Sequence, residues 1–244
     1  MFDHVTIRAT DREASERFYD TVLRPLGIDQ SYRTRAFSEW QEFMVTGANP
    51  QNPTTRRLHI GFVAADRGRI HAFWQAGVDA GYRDDGPPGP RPEYGDDYHG
   101  GFLLDPDGNS AEACLHDNVR RSGGAIDHLW IRVADLEAAK AFYETIAPYA
   151  DLRKVHDTAD RTQFRGRSGS FSLVPGPPTE HLHMAFGTDD DRDVNRFHRV
   201  ATQAGYRSNG EPGARPRYHP GYYAAYVLDP DGNNIEVVNH HRQA

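Results

Sequence analysis

Shifted by 124 positions, the sequence lands on itself: His4 falls on His128, Phe18 on Phe142, Tyr19 on Tyr143, His59 on His183, Tyr82 on Tyr206, Arg91 on Arg215 and Glu112 on Glu236, with no net insertion. A finer period runs inside each copy. His4, His59, His128 and His183 are each followed seven residues later by an aspartate (Asp11, Asp66, Asp135, Asp190), and seven later again by Phe18, Phe73, Phe142 and Phe197. Such a chain is four copies of one supersecondary unit of about sixty residues, and units of that size bury a core only by joining neighbours. Two copies of two units follow, 1–119 and 125–244, with Arg120-Arg121-Ser122-Gly123-Gly124 as an exposed linker between them.

The local pattern gives the unit its shape. In His4-Val5-Thr6-Ile7-Arg8 the apolar residues alternate with the polar ones, which is a half-buried strand with His4 on the face away from Val5 and Ile7. The same alternation sets His59 against Ile60 and Phe62, His128 against Leu129 and Ile131, and His183 against Met184 and Phe186. Each strand runs into an amphipathic helix, with Ala14, Phe18 and Val22 on one stripe in the first unit and Ile70, Phe73 and Gly77 in the second. The four aspartates at the junctions are helix N-caps. Each copy closes in a hairpin, Asp105-Pro106-Asp107-Gly108-Asn109 or Asp229-Pro230-Asp231-Gly232-Asn233, whose acids are turn-formers. Beyond the turns, Glu112 and Glu236 alternate with small or apolar neighbours and so share the histidines' face.

Composition excludes several classes. A net charge of -7 with scattered Lys and Arg argues against a nucleic-acid surface, and a hydrophobic share of 37% is that of a globular chain. No apolar run approaches the length of a membrane span. The single Cys114 allows no internal disulfide, and the first residues carry no secretory signal, so the expected compartment is the cytoplasm. The expected partner is a small molecule; a homodimer is left open.

Two histidines and one carboxylate on the polar faces of strands, repeated twice, form a metal-binding pattern: His4, His59 and Glu112 in the first copy, and His128, His183 and Glu236 in the second. Imidazole and carboxylate suit Fe(II), Mn(II), Zn(II) or Ni(II), and three protein ligands leave positions open for a substrate.

With the His-starting strands, the helix ending near Phe-Tyr, the strand Leu58-His59-Ile60 and the Asp-Pro-Asp-Gly-Asn hairpin with its glutamate, the chain resembles the vicinal-oxygen-chelate superfamily of glyoxalases, extradiol dioxygenases, fosfomycin-resistance enzymes and bleomycin-binding proteins. The resemblance covers nearly the whole chain. It implies an α+β fold of four βαβββ units forming two tandem open-barrel domains, each a cup holding a divalent metal. Within the superfamily, Tyr226-Val227-Leu228-Asp229-Pro230-Asp231-Gly232-Asn233-Asn234-Ile235-Glu236 is similar to the extradiol dioxygenase motif, in which a tyrosine precedes the turn and the ligand glutamate. His219 corresponds to an upstream histidine of that motif, although Arg217 and Ala225 depart from it. In the first copy the matching positions are Phe102 and Gly95. The resemblance therefore implies Fe(II) or Mn(II) ahead of Zn(II) or Ni(II), a substrate that chelates through vicinal oxygens, and catalytic roles for His219 and Tyr226 in the second copy.

Two alternatives stand beside this reading. A glyoxalase I-like lyase or isomerase needs a second carboxylate, for which Glu42, read as an exposed side chain, is the candidate; the second copy has only Ser170-Phe171-Ser172 there. A bleomycin-resistance-type protein would sequester a ligand without chemistry, using the aromatic loops Arg91-Pro92-Glu93-Tyr94 and Arg215-Pro216-Arg217-Tyr218-His219.

Overall fold

In the computed structural model, which describes residues 1–116 and 123–241, four βαβββ units follow one another. The first is β1 (Phe2–Ala9), α1 (Arg12–Leu23), β2 (Tyr32–Arg33), β3 (Phe37–Trp40) and β4 (Phe43–Gly47). The second is β5 (Leu58–Val63), α2 (Arg67–Asp79), β6 (Arg83–Pro90), β7 (His99–Leu104) and β8 (Ser110–Leu115). The third is β9 (Ile126–Val133), α3 (Leu136–Ile146), β10 (Arg153–Asp157), β11 (Thr162–Arg165) and β12 (Ser170–Pro175). The fourth is β13 (His183–Gly187), α4 (Asp191–Gln203), β14 (Ser208–Ala214), β15 (Tyr223–Leu228) and β16 (Asn234–Asn239).

The repeated aspartates start the helices as their chemistry requires. Asp11, Asp66, Asp135 and Asp190 sit in extended backbone and accept the N–H of Ala14, Arg69, Ala138 and Arg192, satisfying donors that the first helical turn leaves free. The spacing of the aromatics that recurs in both halves has a packing role: Phe18 meets Tyr82 edge to face at 4.8 Å, and Phe142 meets Tyr206 in the same way at 4.8 Å. Gly77 lets α2 lie against Leu103 so closely that a Cβ would collide with that side chain.

The strands form two eight-stranded sheets, ordered β14-β15-β16-β13-β1-β4-β3-β2 and β10-β11-β12-β9-β5-β8-β7-β6. The first unit thus shares a sheet with the fourth, and the second with the third. Within units, β5 runs parallel to β8 with Gly61 opposite Glu112, and β13 parallel to β16 with Ala185 opposite Glu236. By contacts the chain divides into one compact unit of Thr6–Trp130 and another of Met1–Val5 with Ile131–Ala244. The division passes through β1 and β9, so these units differ from the sequence copies 1–119 and 125–244 at both strand starts. Of the linker expected at Arg120–Gly124, residues 120–122 lie outside the described residues. Among the described residues no helix is long and apolar enough to cross a membrane.

Candidate metal centres

The expected six ligands come together, but in a different grouping. His4 meets His183 and Glu236, whereas His59 and Glu112 meet His128. The expectation that each sequence copy holds its own triad is corrected here, and the reason is physical. All four first strands carry the same alternating pattern, so local sequence cannot choose between them as sheet neighbours. Non-local bonds make that choice. In the Thr6–Trp130 unit, the Glu42 carboxylate accepts the N–H of Ala125 at 3.0 Å and of Ile126 at 2.8 Å, and Val63 N–H donates to Ala125 O at 2.9 Å, fastening the start of β9. Glu42 is therefore half-buried and engaged, not exposed. In the other unit the Met1 ammonium donates to Ser168 Oγ at 3.1 Å.

In the first centre, His4 Nε2 and His183 Nε2 converge at 3.0 Å, and Glu236 Oε2 lies 3.0 Å from His183 Nε2 and 3.5 Å from His4 Nε2. In the second, His59 Nε2 and His128 Nε2 are 3.2 Å apart, with Glu112 Oε2 at 3.0 and 3.4 Å from them. Three adjacent strands supply each set: β1, β13 and β16, or β9, β5 and β8. The remaining oxygen of each glutamate is held by a tyrosine. Tyr222 donates to Glu236 Oε1 at 2.6 Å, and Tyr98 donates to Glu112 Oε1 at 2.9 Å. One carboxylate oxygen is thereby tied back while the other faces the imidazoles.

The rings are oriented from behind. His4 Nδ1 donates to Asp3 Oδ1 at 2.9 Å, and His128 Nδ1 donates to Asp127 Oδ1 at 2.7 Å, which makes Nε2 the nitrogen of each ring that turns a lone pair toward the common point once it is deprotonated. Each aspartate is gripped in turn: Asp3 by His240 Nε2 at 2.8 Å, and Asp127 by His116 Nε2 at 3.1 Å. The donor set fits a divalent ion of the 2-His-1-carboxylate type. Separations near 3 Å are the edges expected when three bonds of roughly 2.1 Å leave one ion.

Sequence reasoning missed Asp3, Asp127, His116 and His240 altogether and treated Tyr98 and Tyr222 only as loop aromatics. The signal was available, since Asp3 and Asp127, Tyr98 and Tyr222, and His116 and His240 obey the 124-residue shift. Cys114, His116 and Asp127 also lie close together. Their histidine and carboxylate already serve His128, and burial, with the nearby charges of Asp127 and Glu112, pushes the thiol up to about 12.

His219 and Tyr226 are placed differently from one another. Tyr226 on β15 stands directly opposite Glu236 on β16, with its ring 6.4 Å from that of His183. It is 9% exposed, and among the described residues its buried hydroxyl has no partner in good hydrogen-bonding geometry, although the Glu236 carboxylate is near enough to act on it. Burial, and then the charge of Glu236, raise its pKa, so the phenol keeps its proton. His219 reaches the triad only through others: its Nε2 shares a 2.8 Å hydrogen bond with His240 Nδ1, and His240 binds Asp3, which binds His4. Arg215 lies over the Tyr226 ring at 5.7 Å and Arg91 over Phe102 at 5.1 Å, so both loop arginines brace the tyrosine position or its equivalent.

Electrostatics in the second centre set a pH dependence. Burial alone would raise Glu112, but hydrogen bonds and charge from His128 and His59 outweigh it and bring it to about 2. Burial alone would lower His128, yet its bonds to Asp127, Cys114 and Glu112 raise it well above the usual imidazole range. The metal-free imidazole thus holds a proton at neutral pH that an incoming cation must displace. Metal titrations below the His128 pKa are expected to show affinity at this centre falling about tenfold per pH unit, with one proton released per ion. A pH-independent affinity between pH 6 and 8 would contradict this assignment.

The chain belongs to the Glyoxalase/Bleomycin resistance protein/Dioxygenase superfamily, whose family model matches residues 1–113 and again 125–237. Among solved structures it is similar to glyoxalase I from Zea mays, with a TM-score of 0.72, 17% identity, and coverage of 98% of this chain and 92% of the maize chain. A proposed dioxygenase from Bacillus subtilis subsp. subtilis strain 168 is also similar, with a TM-score of 0.65, 16% identity, and coverage of 99% and 85%. At these identities the likeness is one of fold. No curated protein matches the sequence. The architecture is the expected α+β arrangement of tandem domains of this superfamily.

Proposed function

We propose that the chain is a divalent-metal-dependent enzyme acting on a small molecule that chelates the metal through vicinal oxygens, an extradiol-type ring-cleaving dioxygenase, with His4, His183 and Glu236 as its working centre. Residues 1–119 and 125–244 are, in this reading, the two repeat copies, and the second triad is His59, Glu112 and His128. The observation that supports the reading is the Tyr226 hydroxyl, buried beside the first triad near Glu236 and, among the described residues, without a partner in good hydrogen-bonding geometry. A buried donor left unmatched is costly, and a substrate oxygen in the cup would satisfy it.

Fe(II) or Mn(II), bound by the two Nε2 atoms and Glu236 Oε2, would supply the Lewis acidity and redox character needed to join a catechol-type substrate with dioxygen. The protein does the rest. Asp3 and Tyr222 lock His4 and Glu236 in their ligating orientation. Tyr226, held protonated, donates a hydrogen bond and aligns the substrate; it is not a base. His219 ends a hydrogen-bonded chain instead of touching the substrate. The glyoxalase-like reading lacks support in the Thr6–Trp130 unit, because Glu42 is spent on the backbone of Ala125 and Ile126.

The test is elemental analysis of protein purified anaerobically without chelators, followed by oxygen uptake with catechols. Iron or manganese at one or two equivalents, with catechol-dependent uptake, is the expected result. Tyr226→Phe, which copies Phe102 of the other half, should keep its metal and lose about a hundredfold in kcat with little change in KM. Zinc or nickel without uptake would favour glyoxalase-like chemistry, and no metal after reconstitution would leave a ligand-sequestering cup.

A further inference from the structure

The two metal centres differ in what stands behind one histidine of each. His59 on β5 lies directly opposite Ser110 on β8, and its Nδ1 is 3.1 Å from Ser110 Oγ. Ser110 Oγ–H donates in turn to Asp85 Oδ2 at 2.7 Å. Asp85 reaches across because it stands at a break in the register of β6 with β7, between Asp84 and Gly86, where a bulged strand re-aims a side chain. The break is pinned: the Asp84 carboxylate accepts the N–H of Gly86 at 2.8 Å and the indole N–H of Trp74 at 2.8 Å.

The direction of these bonds follows from the chemistry of the groups. A carboxylate only accepts, so the single hydroxyl proton of Ser110 is committed to Asp85, and His59 meets the lone pairs of that hydroxyl. Nδ1 is then the protonated nitrogen of the neutral His59 ring. Its Nε2, 3.0 Å from Glu112 Oε2 and 3.2 Å from His128 Nε2, is left with the lone pair that a metal requires. The other half repeats the path with neutral residues, since Asn209 and Asn234 stand 124 positions beyond Asp85 and Ser110. Asn209 also lies at a register break, before Gly210, and donates to Asn234 Oδ1 at 2.8 Å. Asn234 lies opposite His183 and meets its Nδ1 with the side-chain amide at 2.7 Å and the backbone carbonyl at 3.2 Å. One of these groups donates and the other accepts, so the pair accommodates either tautomer of His183.

On the reading of both triads as metal centres, we propose that Asp85, acting through Ser110, is a positioning residue of the centre formed by His59, Glu112 and His128: it fixes His59 as an Nε2 ligand and strengthens the ring's hold on an ion. A carboxylate behind a ligating histidine sets the ring's orientation and raises its donor strength. His128 has such a carboxylate directly in Asp127, and His59 has one at the remove of a single hydroxyl. Asp85 is exposed, so solvent screens its charge, and its effect falls at the lower end of the range for such groups, about tenfold in affinity.

The test titrates zinc(II) alone into the full chain against a competing chelator. In Asp85→Asn, one of the two zinc equivalents is expected to weaken about tenfold while the other keeps its affinity. Ser110→Ala should weaken the same equivalent as much, adding Asp85→Asn to it should cost nothing more, and Asp85→Glu should restore most of the loss. The ring nitrogens of His59, read by NMR in the metal-free chain at a pH where the ring is neutral, should carry the proton on Nδ1 in the parent and show a mixture of tautomers in Ser110→Ala. Unchanged zinc affinity in Asp85→Asn would overturn the proposal. So would a double variant that binds more weakly than Ser110→Ala alone, because that marks a plain loss of surface charge. A parent that binds no zinc would sink the reading of the triads instead; the His59 tautomer then decides the relay by itself, and a proton on Nε2 overturns it.

Discussion

Replacing Glu236 by Gln is expected to remove one metal equivalent per chain and to lower turnover by about a thousandfold or more. Loss of a group behind a metal ligand typically costs ten- to a hundredfold, and Glu236 is itself a ligand in this reading, so the effect should be larger. The substitution changes little else. The side chain is 1% exposed, an amide has the same shape, and the oxygen facing Tyr222 can still accept its hydrogen bond. What disappears is the negative charge between His4 and His183; in the parent, burial opposes that charge, but the hydrogen bond from His183 and the charges of His183 and His4 hold the Glu236 carboxyl below its usual range. Glu112→Gln removes the other equivalent in the same way, so comparing the two variants identifies the centre that turns over. The readouts are metal per chain and oxygen uptake. Two equivalents retained in Glu236→Gln would sink the assignment of the triad.

That triad shows how far the sequence could be read and where it stopped. Alternation placed His4, His59, His128, His183, Glu112 and Glu236 on polar strand faces, and all six fall into the two groups whose ligand atoms converge closely enough to hold an ion. The aspartate caps, the strand-then-helix order and the closing hairpins were legible for the same reason, because each depends on a few neighbouring residues, whereas the full βαβββ order came from the family resemblance. Pairing between units was not. β1, β5, β9 and β13 are near-copies, and what separates them is a contact such as Glu42 on the Ala125 and Ile126 amides, from residues more than eighty positions away. The orienting layer escaped for a related reason. Asp3 beside His4, and His240 beyond Glu236, look in sequence like ordinary polar residues at strand ends; only the folded arrangement makes them one chain of hydrogen bonds. Glu42 illustrates the opposite error, since a lone acid between Gln41 and Phe43 reads as exposed until the amides it receives are known.

The hairpin acids conceal a large stability effect, and Asp229→Ala should cost about 3 to 4 kcal/mol at neutral pH. Asp229 is more than a turn-former. Its Oδ1 accepts the N–H of Asp231 at 3.0 Å and of Asn233 at 2.8 Å, while its Oδ2 accepts Asn233 Nδ2 at 3.1 Å and the Tyr143 hydroxyl of α3 at 3.3 Å. Asn233 Oδ1 in turn accepts Leu182 N–H at 3.0 Å, so one buried carboxylate joins the hairpin, the helix and the approach to β13. Removing it strands several donors out of reach of water. Tyr143→Phe, which loses one of these bonds, should cost only about 1 kcal/mol. The pH dependence distinguishes the carboxylate from a simple packing defect. Burial raises Asp229 to about 6 even though its hydrogen bonds oppose the shift. A carboxyl whose folded pKa lies above its unfolded value binds more protons when folded, so its contribution falls as pH rises from about 3.8 to about 6 and is constant beyond. The gap between parent and Asp229→Ala should therefore be wider at pH 4.5 than at pH 7. Asp105, tied to Tyr19 in the same manner and also raised, provides an internal replicate. Urea unfolding at the two pH values measures it, and a gap that narrows toward acid would show that the carboxylate is not held as this network requires.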